Sequence, residues 1–141
     1  MIPELTELGL LPLGIHRATV AEFEDRFVSS AHRRRVYGGL EKLLEEAARS
    51  GIVRGVLVAG SFVTAKPQPN DFDCVVVLDP SVLSRELRPF EYRLASKRRA
   101  RKTFGGDVLP VVEGSQQYRN ILEFFQTTRQ KQRVGLVEIE L

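Results

Sequence analysis

Two acids inside an apolar run are the first residues whose types and spacing could do chemistry. The run reads Asp71-Phe72-Asp73-Cys74-Val75-Val76-Val77-Leu78, and its β-branched, turn-bounded make-up is that of a strand buried on both faces, where unpaired carboxylates are costly. Side chains two apart on a strand share a face, so Asp71 and Asp73 are expected side by side. At about 5 Å and an effective dielectric near 20, their repulsion is on the order of 3 kcal/mol. A cation between them, a proton on one of them, or screening water relieves it.

Two further features extend the pattern. The preceding apolar run, Val56-Leu57-Val58-Ala59, ends in Gly60-Ser61, and a later one opens on Asp107. Gly60 lets a phosphate approach the backbone with no Cβ in the way, and Ser61 offers a hydroxyl and an amide to anionic oxygens. Clustered carboxylates suit a hard divalent cation such as Mg²⁺, which two-metal phosphoryl chemistry requires. Simpler roles exist for each: Asp71 and Asp73 as caps of the loop through Asn70, Asp107 as a turn residue after Gly105-Gly106, and Ser61 as the cap of a turn.

The elements that must position these residues follow from periodicity. Gly9 to His16 reads as an extended apolar lead-in without regular structure. Thr19 with Glu22 is a capping-box pattern that starts a short helix ending near Ser29 or Ser30, with Phe23 and Phe27 inward. A second helix carries Val36, Tyr37, Leu40, Leu43, Leu44, Ala47 and Ala48 on one stripe, with Arg33, Arg35, Glu41, Lys42, Glu45 and Arg49 outward, and Gly51 ends it. The first strand runs from Val53 to Ala59.

Beyond Leu78, Asp79-Pro80 predicts a helix to about Leu87, and Pro89 opens another that carries Phe90, Leu94 and the basic run Lys97-Arg98-Arg99-Ala100-Arg101-Lys102. That run reads equally as a phosphate or RNA contact and as a solvated helix end. The third strand, Gly105 to Val112, contains Pro110, which cannot donate to a ladder and so predicts an edge position. Ser115 caps a helix with Tyr118, Ile121, Leu122 and Phe125 inward, and Val137 to Leu141 alternates like a half-exposed strand. The order predicts an α/β fold, a small mixed β-sheet flanked by helices, with residues 1–141 forming a single domain.

Composition narrows the class. Of 141 residues, 43% are apolar and 28% charged, and the net charge of +3 is compatible with a nucleotide or RNA partner without demanding one. Cys74 is the sole cysteine, which excludes an intrachain disulfide and a cysteine metal cluster and points to a reducing cytoplasm. The acidic N-terminal stretch reads as neither a signal peptide nor a membrane anchor. His16 and His32 have no metal spacing and are assigned no role.

Gly60-Ser61, then Asp71-Phe72-Asp73, then Asp107 on a later strand, resembles the nucleotidyltransferase superfamily with the DNA polymerase beta type of fold. The resemblance covers roughly Val53 to Val112. The wording from Gly60 to Pro67, the Pro69-Asn70-Asp71 approach and the Leu-Pro-Leu-Gly lead-in resemble a minimal bacterial branch related to the nucleotidyltransferases of toxin-antitoxin and phage-defence pairs.

The resemblance implies an NTP as donor, a protein or RNA hydroxyl as acceptor, and a cognate toxin or antitoxin as partner. It implies Mg²⁺ held by Asp71, Asp73 and Asp107, with Gly60, Ser61, Thr64 and Lys66 on the triphosphate. The Lys66-Pro67-Gln68-Pro69 stretch departs from the pattern, since it cannot extend the helix that many members place there. That departure leaves open a non-catalytic module of the same fold, an antitoxin or scaffold. A basic RNA-binding domain built on Lys97 to Lys102 is the third expectation.

Overall fold

The computed structural model describes residues 1–141. Its centre is a five-stranded mixed sheet in the order β1-β5-β2-β3-β4. The strands are β1 (Ile15–Ala18), β2 (Val53–Ala59), β3 (Asp73–Leu78), β4 (Asp107–Val112) and β5 (Leu136–Ile139). The helices are α1 (Val20–Phe27), α2 (Ala31–Ser50), α3 (Tyr92–Ala95), α4 (Lys97–Phe104) and α5 (Gln116–Phe125). The chain is thus mixed α/β.

Local signals start and stop the helices as expected. Thr19 accepts from the Glu22 amide while Glu22 reaches back to the Thr19 amide, completing the capping box of α1. Ser30 caps α2 and Gly51, at φ 73°, ends it in the left-handed conformation. Ser115 caps α5 by accepting from the Tyr118 amide.

Strand alternation sorts the sheet's side chains onto two faces. Val56, Val58, Cys74, Val76, Leu78, Val108, Val137 and Ile139 belong to a large core with Phe23 and Phe27 of α1, the inner stripe of α2, and Leu94, Ala100 and Phe104 of α3 and α4. On the opposite face Leu57, Val75, Val77 and Val111 meet only α5, through Tyr118, Ile121, Leu122 and Phe125. Each large apolar side chain so buried contributes about 1.5–3 kcal/mol. Asp73 shares the α5 face with Val75 and Val77, and the helix stops short of covering it.

The two ends of the chain differ from expectation. The lead-in closes as strand β1, parallel to β5 with Ile15 opposite Leu136. The tail is interior, because β5 also pairs antiparallel with β2, Val137 opposite Val58. Its residues Leu136 and Val137 are fully buried, so it is not half-exposed. Pairing between chain ends is a non-local property that alternation alone does not encode.

The segment between β3 and β4 is also more broken than its sequence predicts. Asp79 and Pro80 start only a 3₁₀ turn, Pro80–Leu83. After a second such turn at Pro89–Glu91, the helix is interrupted at Ser96, which caps α4. Glu91 is fully buried there and meets Arg88 at 3.0 Å and Arg85 at 3.1 Å. The Arg88 hydrogen bond leads in holding its carboxyl down, to about 2. As expected, β4 is an edge strand, so Pro110 leaves no central ladder unpaired.

Candidate functional site

Strand register brings the acids together. β2 and β3 are antiparallel, with Ala59 opposite Asp73, so the Gly60-Ser61 bend that follows β2 lies at the entrance to β3. β4 runs parallel to β3 with Asp107 opposite Asp73. The Asp107 amide donates to the Phe72 carbonyl at 2.9 Å, which ties the start of β4 to the residue between the two acids. Phe72 is 1% exposed and lies against Gly106, where an added Cβ would come within 2.5 Å of its ring. That close packing pins the Asp-apolar-Asp segment in register.

Asp71 lies outside β3, in the bend before it, yet its charge still acts on Asp73. It is drawn toward Arg101 of α4, whose Nη1 donates to Asp71 Oδ2 at 3.0 Å and to Asp107 Oδ1 at 3.2 Å. The polar approach through Asn70 delays the start of the ladder to Asp73, two residues later than the apolar pattern suggests.

Asp73 is the most constrained of the three. Burial leads in pushing its carboxyl up to about 6, helped by the charges of Asp71 and Asp107 and by a hydrogen bond shared with Asp107, and opposed by Arg101. Gly60 sits directly against it. At φ 72° Gly60 adopts the left-handed conformation, and a Cβ there would collide with Asp73 Oδ2.

A cleft of about 990 Å³ opens beside this cluster, lined by Gly60, Ser61, Thr64, Lys66, Asp73 and Asp107 among others. Six of the residues singled out in the sequence therefore face one space; Asp71 does not line it and is tied to its edge through the Arg101 bond to Asp107. Thr64 is partly committed locally, since its hydroxyl donates to the Ser61 carbonyl at 2.7 Å and accepts from the Lys66 amide at 3.1 Å. The far wall comes from the end of α5 and the turn after it, with Phe124, Phe125, Thr128 and Arg129. Lys97, at the start of the basic run, also lines the cleft.

Arg33 is the main positioning residue that the sequence does not reveal. Periodicity puts it on the outer face of α2, yet it is 5% exposed. Its guanidinium donates to the carbonyls of Phe27 (3.0 Å), Phe62 (2.8 Å), Thr64 (2.7 Å) and Lys66 (2.6 Å). Those bonds fasten the loop after Gly60-Ser61 to the first turn of α2. His32 adds a fourth anchor point further along, its Nε2 donating to the Pro69 carbonyl at 2.7 Å. Only the rule that a buried guanidinium needs several acceptors would have flagged Arg33, and its acceptors are backbone atoms. Ala48, placed inward by the same stripe, is exposed.

The donor set suits a hard divalent cation in kind: three carboxylates from neighbouring segments, one of them resisting ionisation first because it is buried and further because the others are near. With Arg101 between Asp71 and Asp107 they do not form a closed three-ligand set. A cation would have to take over the oxygens that Arg101 now holds.

Over residues 3–140 the chain matches a family described as a family of unknown function, DUF6932, and it belongs to that family. No curated protein and no solved structure is a match to it. No helix is long and apolar enough to cross a membrane.

Proposed function

We propose that residues 1–141 form a nucleotidyltransferase-like domain that transfers a nucleotide from an NTP to a protein or RNA hydroxyl in the cytoplasm. The observation that carries this reading is the register pairing of Asp73 with Asp107 beside the Gly60 bend, at the head of an open cleft. A polymerase-beta type of fold is supported by the antiparallel β2–β3 pair, with Gly60-Ser61 at its turn and the third acid on the next strand.

Mg²⁺, held by Asp71, Asp73 and Asp107, would supply Lewis-acid stabilisation of the phosphoryl oxygens and lower the pKa of the acceptor hydroxyl. The chain's own residues account for the rest. The Gly60 and Ser61 amides and the Ser61 hydroxyl donate to phosphate oxygens. Lys66 offsets charge on the leaving pyrophosphate. Asp107, with its side chain 52% exposed at the cleft edge, accepts the proton of the acceptor hydroxyl. The acceptor oxygen bonds to the α-phosphorus as the bridging oxygen leaves with pyrophosphate.

One observation favours a second reading, a non-catalytic module of the same fold. Arg101 occupies two of the three acids, and an arginine fixed there permanently would leave a binding surface without turnover. The readings separate on incubation of the folded protein with α-labelled NTPs, Mg²⁺ and cell lysate. Label transferred to an acceptor by the wild type and not by Asp73→Ala supports the enzyme. No transfer by the wild type supports the binding module.

A further inference from the structure

We propose that Arg101 is the resident counter-cation of the acid cluster: it holds Asp71 and Asp107 while no divalent ion is bound, and passes to phosphate oxygens when one binds. The inference rests on reading the three acids as a cation site.

The bonding geometry is that of an exchangeable partner. A guanidinium committed to one carboxylate pairs with it through two nitrogens in parallel. Here a single nitrogen, Nη1, is shared between two carboxylates from separate segments, at 3.0 and 3.2 Å. That is how a bridging cation sits, and the oxygens it bridges are among those a divalent ion would need.

The surroundings allow the side chain to leave while its helix stays. Buried Ala100 and Phe104 fix α4 against the core, Ser96 caps its start and Gly105, at φ 79°, caps its end. The Arg101 side chain is 53% exposed, so it can swing without opening the core. Exposed ion pairs of this kind are weak and readily exchanged.

Charge dictates when it leaves. In the ion-free protein Arg101 is the cation in contact with the acids. A divalent ion at the same oxygens repels the guanidinium and removes its partners. Phosphates entering between Gly60 and Lys66 then offer its planar fork pairs of oxygens to bond in parallel. Arg101 thereby couples loading of the ion to arrival of the donor.

The test uses the full chain, as wild type, Arg101→Ala and Arg101→Lys, each checked for fold by circular dichroism. Mn²⁺ is titrated and free Mn²⁺ is followed by electron paramagnetic resonance. Magnesium pyrophosphate, the leaving group common to all NTP donors, is titrated by calorimetry at saturating Mg²⁺. Arg101→Ala is expected to bind Mn²⁺ about tenfold more tightly and magnesium pyrophosphate several-fold more weakly, with Arg101→Lys between. Effects of opposite sign are what a merely structural residue cannot produce.

Mn²⁺ affinity that is unchanged or weaker in Arg101→Ala, where the wild type binds, overturns the exchange and leaves the cation site standing. Unaltered pyrophosphate affinity overturns the passage to phosphate. Absence of Mn²⁺ binding in all three proteins overturns the exchange and the cation site together.

Discussion

Asp73 and Asp107 are register partners on adjacent parallel strands, with their carboxyl groups close enough to share a hydrogen bond. The β3–β4 ladder fixes the two main-chain positions side by side, so each charge is felt by the other unless the half-exposed Asp107 side chain turns outward.

The pH dependence of stability should report the burial of Asp73 together with that repulsion. The Asp73 carboxyl is pushed up to about 6, so the folded chain holds its proton more tightly than the unfolded chain does. Ionisation then opposes folding: the cost is absent below the ordinary value near 4, grows as pH rises, and is complete above about 6. With solvent screening the cost is on the order of 1 kcal/mol. Calorimetric melting in chelator should show Asp73→Asn more stable than wild type at neutral pH, with the two converging near pH 4.

Gly60→Ala should distort the site from the other side. The substitution places a Cβ against Asp73 in a left-handed backbone, which costs about 1–2 kcal/mol. Chemical denaturation is expected to show that loss, and Mn²⁺ binding should weaken because Asp73 is displaced. A variant as stable as wild type with full Mn²⁺ affinity would contradict the packing of Gly60 on Asp73.

Removing Arg33 should loosen the phosphate-side loop. Arg33→Ala leaves four carbonyls without their donor, among them those of Phe62, Thr64 and Lys66, and is expected to cost about 3 kcal/mol or more. Hydrogen exchange should then speed up across residues 60–66 ahead of the sheet. Arg33→Lys should recover only part of the loss, because one ammonium cannot span four acceptors.

Phe124 offers a way to test donor and acceptor binding separately. It is 67% exposed, stands edge-on to Phe125 and lines the far wall of the cleft. With Lys97 and Arg129 lining the same cleft, such an aromatic is expected to stack an unpaired base if the acceptor is RNA. Phe124→Ala should leave stability within about 0.5 kcal/mol of wild type. Fluorescence anisotropy should show weaker binding of a single-stranded RNA 3′ end with NTP affinity unchanged; RNA binding equal to wild type would point to a protein acceptor.

How far the sequence reveals this arrangement depends on whether each feature is local. Capping residues and an unbroken apolar stripe define α1, α2 and β2, because their signals lie within a few residues of each other. Pro110 reveals the edge strand for the same reason. β1 depends on pairing with β5 across more than a hundred residues, and the interior place of β5 also on pairing with β2 across roughly eighty, which no local pattern carries. At the site, Gly60, Asp73 and Asp107 are legible as types at a spacing. Arg33 is not, because it acts through groups on distant segments and looks like an ordinary surface arginine on its own helix, and Arg101 is legible only as a member of the basic run, with no sign that it pairs with Asp71 and Asp107.

The central claim is that this acid cluster exists to hold a divalent cation against a nucleoside triphosphate, and calorimetry of NTP binding by the folded chain, with Mg²⁺ and with chelator, tests it most directly. The account predicts binding in Mg²⁺ that disappears in chelator and in Asp73→Ala. Folded wild-type protein that binds no NTP in Mg²⁺, or an Asp73→Ala variant that binds as well as wild type, would contradict it.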